Sequence, residues 1–194
     1  MKIIDTKRSI LYFLIGFSIG SLLYVSKSVA TEPYICNSTY ALCTSATCFP
    51  LLGEPKKVIC RCIMKAGYSM GYKPCQNPQK GVAGHTLIVS RFYPLSKQNK
   101  YTLLCKKGYA WADCLDKPCY ANVEKKGQAL CTCDVKHNKP FGFFVENCEK
   151  TKCTSGIYSA ILSQQAEEIE KLLYSQRLIP KLNPQFCPNN NQGQ

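Results

Sequence analysis

The chain has 194 residues, 45% of them hydrophobic and 19% charged, with 14 Cys and a formal net charge of +13 from 25 Lys+Arg against 12 Asp+Glu. That balance excludes a disordered acidic or low-complexity chain, and Gly and Pro show neither a collagen period nor a heptad setting. An even and large number of cysteines points to an oxidising compartment and a disulfide framework.

The N-terminus reads as a basic, then apolar, then small-residue segment: Lys2, Lys7 and Arg8, the stretch from Ile10 to Val25, and Ser28-Val29-Ala30. This order predicts a signal peptide over residues 1–30, cleaved after Ala30. A secreted or periplasmic product follows, with no stable membrane span after cleavage. Removal takes away Lys2, Lys7, Arg8 and Lys27 against Asp5, so the remainder stays strongly basic.

Next comes an internal repeat of cysteine spacing. Residues 31–76 carry Cys36, Cys43, Cys48, Cys60, Cys62 and Cys75; residues 105–149 carry Cys105, Cys114, Cys119, Cys131, Cys133 and Cys148. Four, eleven and one residues separate the middle four cysteines in both copies, and Tyr40-Ala41 and Tyr109-Ala110 fall at the same offset after the first. The C-x-C element reads as a strand. Val58, Cys60, Cys62 and Met64 share one face by period two, as do Ala129, Cys131, Cys133 and Val135. Two cysteines on one strand face are poorly placed to bond each other. Cys43 and Cys48 are therefore their expected partners, Cys36 is expected on Cys75, and the second copy is expected to repeat the pattern. Units this small bury little apolar surface, so covalent staples are needed.

Residues 77–104 read as a linker with a β-hairpin: a β-branched and aromatic run from Thr86 to Tyr93, a turn from Leu95 to Lys100, and Tyr101 to Leu104 leading into the second copy. Residues 150–188 read as a disulfide-tethered helical segment. Tyr158, Leu162, Ala166, Ile169 and Leu173 recur at helical steps, Ser155 stands as N-cap and Pro180 as stop. Cys153 and Cys187 flank the segment and are expected to tie its ends. Residues 189–194 form a polar tail. The predicted class is α+β: a small, disulfide-rich, β-rich tandem repeat followed by a C-terminal amphipathic helix.

Chemistry-bearing motifs are sparse. Zinc sites favour C-x2-C pairs with His support, whereas only His85 and His137 are present and no such pair occurs. No nucleophile elbow, zincin motif, P-loop or dinucleotide fingerprint appears, so no catalytic, metal or cofactor residue is assigned. Trp111, Asp113 and Asp116 are the one place where two carboxylates and the sole Trp lie close together, a pair that a glycosidase-like hydrolase would need across a cleft. Lysine pairs Lys56-Lys57 and Lys125-Lys126 stand near the cysteine loops, and Arg is confined to Arg61, Arg91 and Arg177 after residue 30. Lys supplies diffuse attraction where Arg supplies forked recognition, which disfavours sequence-specific nucleic-acid reading. The expected function is a disulfide-stabilised interaction module for an anionic surface, a glycan or a protein partner, without catalysis. The alternatives are an inhibitor of a secreted hydrolase and an extracellular hydrolase using Asp113 and Asp116. Trp111, Asp113, Asp116, Lys56, Lys57, Lys125 and Lys126 are the candidate ligand contacts.

Overall fold

The structure, a computed structural model, describes residues 32–81, 85–92, 101–122, 125–175 and 185–187. The leader expected over residues 1–30, the turn over 95–100, the stop at Pro180 and the tail over 189–194 lie outside the described residues. Strand β1 spans Tyr34–Leu42, β2 Cys48–Leu51, β3 Glu54–Gly71, β4 Gln79–Lys80, β5 Thr86–Arg91 and β6 Tyr101–Cys105. Then follow β7 Trp111–Asp113, β8 Pro118–Ala121, β9 Gln128–Lys136, β10 Phe141–Val145, β11 Ser159–Leu162, helix α1 Ser163–Ser175 and β12 Gln185–Phe186. The protein is a small, disulfide-rich β-sheet fold with one helix among the described residues. No helix among them is long and apolar enough to cross a membrane.

The centre of the sheet follows from the C-x-C strands. β3 and β9 pair antiparallel with Cys60 opposite Cys131, while β2 lies on the outer edge of β3 and β8 on that of β9. Cys48, Cys60, Cys131 and Cys119 thus stand in one row across four strands, on one face. Cys60 bonds Cys48 and Cys131 bonds Cys119 across the hairpins, while Cys62 and Cys133, two residues along the same face, reach Cys43 and Cys114. All eight are buried, and neighbouring bridges touch: Cys43 Sγ lies 3.4 Å from Cys131 Sγ, and Cys114 Sγ 3.2 Å from Cys60 Sγ. By distance alone, Cys43, Cys62 and Cys131 form a group that could hold a metal, as do Cys48, Cys60 and Cys114. Each group contains a disulfide, however, and a bonded sulfur is not the thiolate that a metal requires.

Strands β5 and β11 close the sheet around these sulfurs. β5 runs parallel to the end of β1 and antiparallel to β8; β11 runs parallel to β7 and antiparallel to β10. Each brings a buried serine onto a cysteine loop. The Ser90 hydroxyl donates to the Cys114 carbonyl and accepts from the Lys117 N–H, and the Ser159 hydroxyl donates to the Cys43 carbonyl and accepts from the Ala46 N–H.

Seven disulfides join all 14 cysteines, the framework of a protein that matures in an oxidising compartment. Cys36–Cys75 forms as the spacing predicts. Two expected bridges do not. Cys105 bonds Cys153 rather than Cys148, and Cys148 rather than Cys153 bonds Cys187. Strand register gives the reason: β10 runs antiparallel to β6 with Val145 opposite Tyr101. Cys148 therefore emerges at the Tyr101 end, about 13 Å along the strand from Cys105, where β12 pairs with Tyr101 and Thr102 and delivers Cys187.

The helix also starts later than its periodicity predicts. Residues Ser159–Leu162 form β11, not the first turn, because the buried run Ser159-Ala160-Ile161 fills the gap between β7 and β10. Ser155 is accordingly not the N-cap. The start at Ser163 is secured by Gln165, whose side-chain oxygen accepts from the Leu162 N–H. Ala166, Ile169 and Leu173 then face the core as the periodicity predicts.

Candidate functional site

Residues alternating with the cysteines must point away from them, so the outer face of β2, β3, β9 and β8 is read directly from the register. One row runs Phe49–Ile59–Thr132 and the next Arg61–Leu130–Tyr120. Ile63, opposite Gln128, lies one row further on, and four large apolar side chains of this face are substantially exposed: Phe49 at 44%, Ile63 at 53%, Tyr120 at 44% and Leu130 at 37%. The Arg61 guanidinium lies 4.6 Å from the centre of the Phe49 ring, a cation–π contact that fixes both.

Charge on this face is mostly positive. Lys57 and Lys117 share Asp134 at 2.5 and 2.6 Å, and their hydrogen bonds hold its carboxyl down to about 2. Arg61, Lys65 and Lys136 are exposed without a carboxylate in any described ion pair. Lys56 stands exposed beside the β2–β3 turn, and Lys125 and Lys126 in the β8–β9 turn at the opposite end. Of the sequence-predicted contacts, Lys57 thus stands on this face and Lys125 and Lys126 at its end, while Lys56 alternates to the cysteine side of β3.

The same face continues beyond β8. Tyr120 pairs with Leu87 of β5, Leu87 with Gln79 of β4, and Pro118 with Val89. Here the sheet meets the segment after β3 and frames an open cavity of about 270 Å³ lined by the exposed Lys73, Gln76, Asn77 and Gln79 and by Leu87, Ile88, Val89, Asp116 and Pro118. The side chain of His85 packs edge-on to Tyr120 at 6.4 Å.

Asp116, which lines that cavity, belongs to a buried ion pair. Arg91, 2% exposed at the end of β5, donates from Nη1 to Asp116 Oδ1 and from Nη2 to the carbonyls of Lys73 and Pro74. Asp116 Oδ2 accepts the N–H groups of Tyr72 and Lys73 at 2.6 and 3.0 Å. Burial pushes the Asp116 carboxyl above its ordinary range, and Arg91 and the two N–H groups pull it back. Asp116 holds φ 59°, and Gly71 is obligatory beside the pair, since a Cβ there would come within 2.0 Å of Arg91 Nη1 and 2.2 Å of Asp116 Oδ1.

The remaining candidates from the sequence lie elsewhere. Trp111 is 1% exposed and stacks on Phe141 with ring centres 5.5 Å apart, in a second core cluster with Leu103, Phe143 and Val145. Asp113 lies on β7 opposite Asp134. Burial raises its carboxyl, against the pull of Lys117 and Lys136. Both Asp116 oxygens are taken by protein donors, so the arrangement offers no free carboxylate there for acid–base work. Sequence reasoning pointed to the stretches Phe49 to Lys57 and Tyr120 to Gln128 but missed Arg61 and Leu130, whose signal lay in the strand face opposite the cysteines. It also missed Lys73, Gln76, Asn77 and Gln79, which only tertiary structure brings together. No protein-family model matches this chain, and neither a curated protein nor a solved structure does so.

Proposed function

We propose that the chain is a secreted or periplasmic binding module, built as a tandem repeat, whose outer β2–β3–β9–β8 face engages an acidic polysaccharide. One observation carries the reading: half-exposed rings and aliphatic side chains on a flat strand face, fixed from behind by four buried disulfides and bordered by lysines and Arg61. A contiguous exposed apolar patch marks an interaction site. Rings that present a face stack on the C–H surface of a sugar ring, and the surrounding cations attract its carboxylates or sulfates. An extended peptide would prefer an open strand edge, whereas this face presents side chains. The disulfide backing holds the rings in place before binding, so little ordering entropy is lost.

Two further correspondences support the repeat. Ala41 pairs with Ser90 as Ala112 pairs with Ser159, both in parallel register. On this reading β5 and β11 belong to the repeat, each crossing to close over the other copy's cysteine loop. The inhibitor alternative is supported less. Leu52, 97% exposed, tops the β2–β3 turn, but that turn is tight, and protease docking needs an extended segment.

The test is retention of the oxidised chain on immobilised heparin and polygalacturonate, beside vesicles of anionic lipid. Retention on polysaccharide is expected at low salt and should weaken as salt rises. Tyr120→Ala and Arg61→Ala should each reduce affinity by about tenfold. Equal retention of those folded variants, or retention on vesicles alone, overturns the reading.

A further inference from the structure

The cavity at the β4–β5 end of this face stands apart from the flat surface in being concave, small and polar at its rim. We infer that it is a subsite for a single sugar residue bearing a carboxylate, the point at which the chain of an acidic glycan is anchored. The inference deepens the polysaccharide reading and rests on it for the source of the sugar, but its evidence is separate.

Size comes first. About 270 Å³ lies just below the ~300–1,000 Å³ range of ligand pockets, and it suits a monosaccharide better than a larger molecule. The lining is divided as a sugar requires. Leu87, Val89 and Pro118 supply an apolar wall for the C–H face of a ring, while the amides of Gln76, Asn77 and Gln79 supply paired donors and acceptors for hydroxyls. None of these three amide side chains has a hydrogen-bond partner among the described residues, so binding need not break an existing protein contact.

The charge then selects an acid. Two charged residues line the cavity, Lys73 and Asp116. Asp116 is matched by Arg91, and both its oxygens are occupied. Lys73 Nζ donates only to the Asp116 backbone carbonyl, at 3.0 Å, among the described residues. Lys73 and Arg91 together face the single Asp116 carboxylate, so the site keeps a net positive charge beside three free amides. A carboxylate there gains a charge-assisted hydrogen bond, and a neutral sugar of the same shape does not.

The frame around the cavity is rigid. Arg91 clasps the carbonyls of Lys73 and Pro74, and the Cys36–Cys75 bridge pins the next residue to β1. Arg91 and Asp116 are therefore positioning residues for Lys73. The cavity also lies in line with Tyr120, Leu130 and Arg61 through the Leu87–Tyr120 pair. A glycan held here at one residue can lie across the strands over the exposed patch.

The experiment titrates oxidised full chain with monomeric galacturonate and glucuronate, and with galactose and glucose as neutral controls, followed by NMR shifts of backbone amides. Saturable millimolar binding of the acids is expected, with shifts centred on residues 73–79 and 87–89 and none with the neutral sugars. Lys73→Met and Asn77→Ala should each weaken it about tenfold, while Tyr120→Ala leaves it unchanged and weakens only the polymer. Absence of saturable binding of the acids, equal binding of the neutral sugars, or acid binding insensitive to both Lys73→Met and Asn77→Ala overturns the subsite. If polymer retention persists while the monomers fail, only the subsite falls; if the monomers bind and the polymer does not, only the extended face falls.

Discussion

The stretch from Tyr34 to Cys75 and the stretch from Tyr101 to Cys148 carry the same inner cysteine spacing and end in different architecture. In the first, β1 and β3 run unbroken for nine and 18 residues and pair along their full upper length. In the second, the corresponding course is divided into β6 and β7 on one side and β9 and β10 on the other. Gly108 at φ 105° and the turn His137–Pro140 make the breaks, and the Gly108 N–H donates to the His137 carbonyl, tying one break to the other. Pro140 cannot donate to a ladder. Joined to the cysteine strands through β11, β6 and β10 build a second core with Trp111, while Met70 of the first region packs with the inner cysteines. The hairpin staples depend on local register; everything beyond them depends on what the chain can pair with.

Buried charge sharpens the contrast. Asp116, in the second stretch, is clasped by Arg91 at the end of β5, whereas Glu170 on α1 is 5% exposed and meets the Thr102 hydroxyl with no cation paired to it among the described residues. Asp116→Asn should show the largest effect, a loss of about 3–5 kcal/mol in denaturant unfolding, because Arg91 is left buried without its counter-charge. A loss under about 1 kcal/mol would mean that solvent already reaches the pair.

The outer bridges divide the regions in a second way. Cys36–Cys75 and Cys148–Cys187 both close a sequence separation of 39, so chain entropy alone assigns them equal weight. Packing does not: Cys75 is exposed, whereas Cys187 is 7% exposed and anchors the two-residue strand β12. Replacing both cysteines by serine should cost about 2 kcal/mol at Cys36–Cys75 and about 4 kcal/mol at Cys148–Cys187. Equal costs in paired melts would show that loop length governs and that β12 contributes nothing.

How far these differences were legible in the sequence varies with the range of the interaction that sets them. That Cys60 and Cys62 take Cys43 and Cys48 as partners, and Cys131 and Cys133 take Cys114 and Cys119, follows from period-two alternation; which bonds which is set by strand register. The partners of Cys105 and Cys148 do not follow from it, because β12 arrives from about 40 residues away and its addition to β6 is not encoded near either cysteine. Tyr158 to Leu162 fits a helical stripe and a buried strand equally well, and the vacancy between β7 and β10 decides it. Lys56, Lys57, Lys125 and Lys126 could be singled out in the sequence because charge is visible residue by residue. The cavity was not, since Lys73, Leu87 and Asp116 come from three separate segments.

The smallest expected effect falls on Glu170, and its sign is opposite to that of Asp116. Burial raises its carboxyl above the ordinary 4.5, nearby Glu167 adds to the rise, and the Thr102 hydrogen bond opposes it. The folded state therefore binds a proton that the unfolded chain has already released in the window above 4.5. Stability should rise as pH falls through that window and gain nothing further from this group below it. Glu170→Gln keeps the acceptor for Thr102 and removes the charge, so it should stabilise the protein at pH 7 by about 1 kcal/mol and flatten the pH profile between pH 7 and the ordinary carboxylate range. Destabilisation at pH 7 with an unchanged profile would show that the carboxylate is solvated where it stands, and the contrast between a paired and an unpaired buried acid would be lost. With both variants in hand, opposite signs for Asp116→Asn and Glu170→Gln identify the Arg91–Asp116 pair as a brace and Glu170 as a charge buried at a cost.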